Sequence, residues 1–159
     1  MPAVGHAGVP SGLSARPAGA RPVVLATFDV PFATEPAQLA VDAAIEAGQG
    51  LIVANVSLVP VLPMSMLMGY SYLESDELTE ALRAPAELAA SFGVPVQLLR
   101  VASPHPVDAL LELVAERDPG LLVLGPDMSR VRARLYRKAA RRIRESAACL
   151  VWLESDVAF

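Results

Sequence analysis

One cysteine, Cys149, in 159 residues excludes an internal disulfide and a cysteine-rich metal site. It stands in an apolar run, so a buried, inert thiol is expected, and a reducing cytoplasm suits it. No uninterrupted apolar stretch reaches the ~18 residues that a membrane span requires, so no membrane association is expected. Residues 1–21 have no basic start followed by an apolar block, and so do not read as a secretory signal. Their Gly, Ala, Pro and Ser content reads instead as a disordered tail, which leaves 22–159 as one domain. Aromatic residues make up only 5% of the chain, and Tyr136 alone is interleaved with the basic run described below, which argues against stacking on single-stranded nucleic acid. His105, between Pro104 and Pro106, carries no metal-ligand pattern, and nothing in the sequence brings Ser103, His105 and Asp108 together as a triad.

What is present is alternation. Val23–Phe28, Leu51–Val56, Val96–Val101, Leu121–Gly125 and Cys149–Leu153 are short apolar runs separated by helical patterns. Runs apolar along their whole length imply parallel strands covered on both faces, hence an α/β domain. Between the strands, a helix is expected from Glu35 to Ala47, capped by Thr34, carrying Leu39, Ala43 and Ala47 at fourfold spacing and stopped by Gly48. A second, capped by Ser75, is expected to run to Phe92 and to be kinked or split by Pro85. A third, Val107 to Arg117, turns Leu110, Leu111 and Val114 inward. Leu58 to Leu73, with Pro60, Pro63 and five hydrophobic residues from Met64 to Tyr70, reads as a long apolar loop: a lid on a pocket, a dimer contact or a simple cover for the sheet edge.

Charge is unevenly spread. The net charge is −4, yet Arg130 to Glu145 holds eight basic residues and one acid, leaving five basic and sixteen acidic residues elsewhere. Read as one helix from Ser129 to Ala148, this segment places Arg130, Arg134, Arg137, Arg141 and Arg144 within an arc of ~80°, beside an apolar stripe of Val131, Leu135, Ala139, Ile143 and Ala147. Such a face is either solvated, with partial pairing to acids such as Glu112 and Glu116, or a surface for an anionic ligand or an acidic protein.

The order and spacing of these parts resemble the universal stress protein family. Val24 to Asp29 resembles its first strand, which ends on an aspartate. Val107 to Gly125 resembles its helix, acidic turn and Leu-Ile-Val-Met-Gly strand, and Ala147-Ala-Cys-Leu-Val151 resembles the Ala-Pro-Cys-Pro-Val that leads into its last strand. The resemblance implies a Rossmann-like single domain, a five-stranded parallel sheet of order 3-2-1-4-5 with helices on both faces, and a homodimer formed through the C-terminal strand. Many members bind ATP through Gly-x-x-Gly, nine residues, Gly-Ser/Thr after strand four. Gly125 matches the first glycine. The second falls at Met128 and the Gly-Ser pair at Lys138-Ala139; anchored on Cys149 instead, they fall at Asp127 and Arg137-Lys138. In either register the later glycines and the hydroxyl are missing, as in the branch of the family with a degenerate ATP motif.

The expected role is therefore a stress-related regulatory or ligand-sensing module without a cofactor and without enzymatic activity. The alternative is a protein that binds ATP or another nucleotide with arginine side chains in place of the glycine loop, its anion site formed by Asp29, Gly125, Arg130 and Arg132. A third reading, hydrolysis of a phosphate ester or anhydride in the same crevice, has no recognisable nucleophile, base or metal set behind it.

Overall fold

The computed structural model describes residues 21–59 and 75–154. The expected tail up to residue 20 and the Met-rich segment 60–73 lie outside the described residues. Five strands form one parallel sheet: β1 Val23–Thr27, β2 Leu51–Leu58, β3 Val96–Ser103, β4 Leu121–Leu124 and β5 Leu150–Leu153, in the order β3-β2-β1-β4-β5. In register, Val24 of β1 lies between Ile52 of β2 and Leu122 of β4. All five residues of β1 are buried, as expected for a central strand apolar on both faces.

Helices cover both faces. α1 (Thr34–Ala47) and α2 (Asp76–Ser91) close one core, in which Val41, Ala44, Leu82 and Ala89 pack on Leu25 and Val53. α3 (Pro106–Arg117) and α4 (Ala133–Ser146) close the other, in which Leu110, Val114 and Ile143 pack on Val24, Ile52 and Leu122. The helices differ in sign. α1 and α2 together hold Glu35, Asp42, Glu46, Asp76, Glu77, Glu80 and Glu87 against Arg83, whereas α4 holds five arginines and Lys138 against Glu145. Among the described residues no helix is long and apolar enough to cross a membrane.

Helix ends follow local chemistry, with corrections to the sequence reading. Gly48 closes α1 at φ 64, a left-handed conformation that glycine adopts without steric cost. Thr34 is not the cap of α1: Ala33 holds that position without a side-chain bond, and its N–H donates to the Gly125 carbonyl at 3.0 Å. Ser75 does cap α2, its hydroxyl accepting from the Leu78 amide at 3.1 Å. Pro85 does not split that helix, which runs unbroken through a buried proline. In α3, Leu113 rather than Leu111 joins Leu110 and Val114 in the core.

The largest correction concerns the basic segment. Met128–Arg130 form a separate 3₁₀ turn, and α4 begins only at Ala133. The later start leaves Arg130 outside the helix, and the buried face differs from the expected stripe. Tyr136, Ala140 and Ile143 are buried, while Leu135 is 59% exposed. The Tyr136 hydroxyl donates to the Glu154 carbonyl at 2.8 Å, which satisfies the one polar atom that this face carries into the core.

Candidate functional site

The strand order reverses direction at β1 and β4, and the crevice outside their C-terminal ends is where open α/β sheets bind ligands. β1 passes here into Asp29, at φ 59 a non-glycine residue in the left-handed region. The carboxylate and amide of Asp29 hold it there. Its amide donates to Asn55 Oδ1 at 2.7 Å, its Oδ1 accepts from Ser57 Oγ at 2.6 Å and Asn55 Nδ2 at 3.2 Å, and its Oδ2 accepts from the Leu58 amide at 3.3 Å. Asn55 is fully buried within β2, and Thr27, equally buried and level with it, donates its hydroxyl to the Val30 carbonyl at 2.8 Å. Asp29 thus ties the β1 loop to the end of β2.

The loop after β4 is tied to the same place. Gly125 extends the ladder, its amide donating to the Ala26 carbonyl at 3.1 Å, and Pro126 bridges Phe32. A β-carbon on Gly125 would lie 2.4 Å from Cβ and 2.6 Å from Cγ of Pro36. This glycine is therefore required for the contact between strand four and α1. Beyond it, three main-chain donors are already engaged. Pro126 has no N–H; the Asp127 amide donates to the Pro31 carbonyl at 2.8 Å, the Ser129 amide to Asp127 Oδ1 at 3.1 Å, and the Arg130 amide to the Asp127 carbonyl at 3.0 Å. The Ser129 hydroxyl also donates to Asp127 Oδ1, at 2.7 Å.

These bonds hold the Asp127 carboxyl below its ordinary value: the Ser129 hydroxyl most, then the Ser129 amide, with Arg130 assisting and slight burial opposing. A depressed carboxyl stabilises the turn at pH above the unfolded value of about 3.9, and that contribution is lost as pH falls through the lowered folded value. Hydrogen exchange at the Ser129 amide is accordingly expected to gain a protection loss on acidification that follows Asp127 protonation and is absent in Asp127→Ala. Identical acid dependence in both proteins would refute it. Cys149 behaves in the opposite sense: burial pushes its thiol up, although the residue is only half-buried against the core and not enclosed in it as expected.

Between the two loops, the start of α3 and the first turns of α4 lies a cavity of about 470 Å³. Of the anticipated site residues, Asp29, Arg130 and Arg132 line it, whereas Gly125 sits behind Pro126 and is not on its wall. Lys138 and Arg142 line it as well. Arg142 is paired with Asp108, and Arg130 with Glu77 at 2.5 Å and Asp127 at 3.8 Å. The outer face of α4 is a second feature: Arg137, Arg141 and Arg144 border a separate hollow of about 300 Å³ with Leu153 and Glu154. Lys138, one of eight basic residues in its segment, has no sequence signal that sets it at this cavity, whereas Asn55 has one, an amide that breaks an otherwise apolar run.

No protein-family profile and no curated protein sequence matches the chain. Solved structures do. A universal stress protein in complex with cAMP superposes with a TM-score of 0.58 at 22% identity, over 85% of this chain and 96% of that one. A protein of the universal stress protein family from Burkholderia pseudomallei gives 0.59 at 17%, over 87% and 98%. The universal stress protein from Archaeoglobus fulgidus in complex with dAMP gives 0.55 at 18%, over 84% and 96%. With the same strand order and helices on both faces, the chain has the universal stress protein fold.

Proposed function

We propose that this protein is a regulatory, ligand-sensing module of the universal stress protein kind, not an enzyme, which does not seat ATP through the main chain of its strand-four loop. The observation that carries this reading is that the amides of Asp127, Ser129 and Arg130 are already engaged, by the Pro31 carbonyl, the Asp127 carboxylate and the Asp127 carbonyl, and that the loop itself holds that carboxylate. A triphosphate would have to break those bonds and meet a negative charge. In this reading the module works in the cytoplasm as a homodimer through β5 and offers the arginine face of α4 to an acidic partner.

One observation favours the second reading, a nucleotide gripped by side chains. Arg130 and Arg132 both line the crevice, and two solved structures of this fold are complexes, one with cAMP and another with dAMP. Arg130 is already committed to Glu77 and Asp127, which shifts that role toward Arg132.

Thermal shift separates the two. At a thousandfold excess over Kd a bound ligand stabilises by about 4 kcal/mol, or roughly 10 °C for a domain of this size. Millimolar ATP with Mg²⁺ is expected to leave the melting temperature within about 1 °C, with no phosphate released. A saturable rise near 10 °C, accompanied by shifts of the amides of residues 127–130, would sink the reading.

A further inference from the structure

We infer that the cavity beside α4 takes an amphipathic anion, an apolar body bearing one anionic head, and that Arg132 and Lys138 hold the head. The inference rests on the proposed ligand-sensing role and names the ligand's chemistry. The cavity volume of about 470 Å³ falls in the range of small-molecule sites. Its walls are mainly apolar, with Phe28, Val56, Val107 and Leu135 among them. Leu135 is the telling member, because it is 59% exposed in the first turns of a helix that has a core to bury it in.

The charges on the wall decide what else the ligand must carry. The Asp29 carboxylate is satisfied by Asn55, Ser57 and Leu58. Arg142 belongs to Asp108, and Arg130 to Glu77 and Asp127. Arg132 and Lys138 remain, both exposed and neither with a carboxylate partner among the described residues. They lie three residues to either side of Leu135, so cation, apolar side chain and cation follow one another along a single edge of the cavity. The start of α4 adds to the attraction for an anion. Its cap, Arg132, makes no side-chain bond to the first turn, and that turn contains no acid to offset the helix dipole. A single head fits this arrangement better than a polyphosphate, because Arg130, Arg142 and the amides of Asp127, Ser129 and Arg130 are occupied.

The test uses 8-anilinonaphthalene-1-sulfonate and its uncharged counterpart N-phenyl-1-naphthylamine, both followed by fluorescence on the full chain. The sulfonate is expected to bind saturably. Arg132→Ala with Lys138→Ala should weaken it at least tenfold while changing the neutral probe less than twofold. Leu135→Asp should weaken both. All three positions are exposed, so the variants leave the core intact. AMP and dodecanoate are then the competitors: displacement by AMP identifies a nucleotide phosphate as the head, and displacement by dodecanoate an acyl carboxylate. Equal affinity of the sulfonate for wild type and the double variant, binding that ignores Leu135→Asp, or displacement by neither competitor would overturn the inference. Each of those results leaves the ATP reading standing. ATP bound through the loop amides would overturn that reading and leave the probe measurements unaffected.

Discussion

Ile143→Ala is expected to destabilise the protein by about 2–5 kcal/mol, the range for truncating a fully buried branched aliphatic side chain. The cost should fall toward the upper end for a reason specific to α4. Only Tyr136, Ala140 and Ile143 of this helix are buried, and alanine contributes little area. Ile143 meets the core formed by Val24, Ile52, Leu110 and Leu122, and it is the sole large aliphatic anchor of a helix otherwise dominated by arginine. Like charges along that helix repel by about 0.2–0.5 kcal/mol per pair, so α4 has little stability of its own to fall back on. Denaturant melts should show the loss. Binding of the anionic probe should weaken in parallel, because the same helix forms one wall of the cavity. A change below 1 kcal/mol would mean that α4 is held by something other than this contact.

Gly125→Val is expected to cost about 3 kcal/mol or more, the upper part of the range for overpacking. The added carbons would overlap the ring of Pro36, which is buried in the first turn of α1 and has no flexible end to swing aside. Strand four and α1 would have to separate, and the Ala33–Gly125 bond between them would be strained. Gly120→Ala supplies the comparison, since a β-carbon there meets Arg21 at an ordinary 3.4 Å. If Gly125→Val instead folds with unchanged stability and alters only ligand binding, the glycine serves the ligand and not the packing.

These two positions also show how far the sequence could be read. The five strands were legible because each is apolar throughout, a pattern that only burial on both faces explains. The helix faces were less so. The apolar stripe expected on α4 included Leu135, which is exposed, and omitted Tyr136, which is buried beside Ala140 and Ile143. The Asp127 turn also delays the helix to Ala133, and no periodicity in the segment reveals that delay. Pro85 was read as a break because an isolated helix pays heavily for an interior proline. Here Leu78, Leu82, Ala86 and Ala89 pin both halves of α2 to one core.

The site divides along similar lines. Asp29 could be found because it ends a strand at the side where such sheets bind ligands. Its partners could not, since Asn55 and Ser57 reach it only through the pairing of β1 with β2. Gly125 was expected in an anion site by its match to the family's first glycine, whereas the space a side chain would need is taken by Pro36, 89 positions before it in the chain.

The acids of α1 and α2 lie over one side of the sheet, and the cations of α4 over the other. Even with Asp108, Glu112 and Glu116 of α3 on the same side as α4, the helices of the described residues make an electric dipole whose axis crosses the sheet. With a net charge of only −4, its orientation near a charged body is set by that dipole as much as by simple attraction or repulsion. A negative surface meets α4 first and the crevice beside it, whereas a positive one meets the far side and leaves the crevice open to solution.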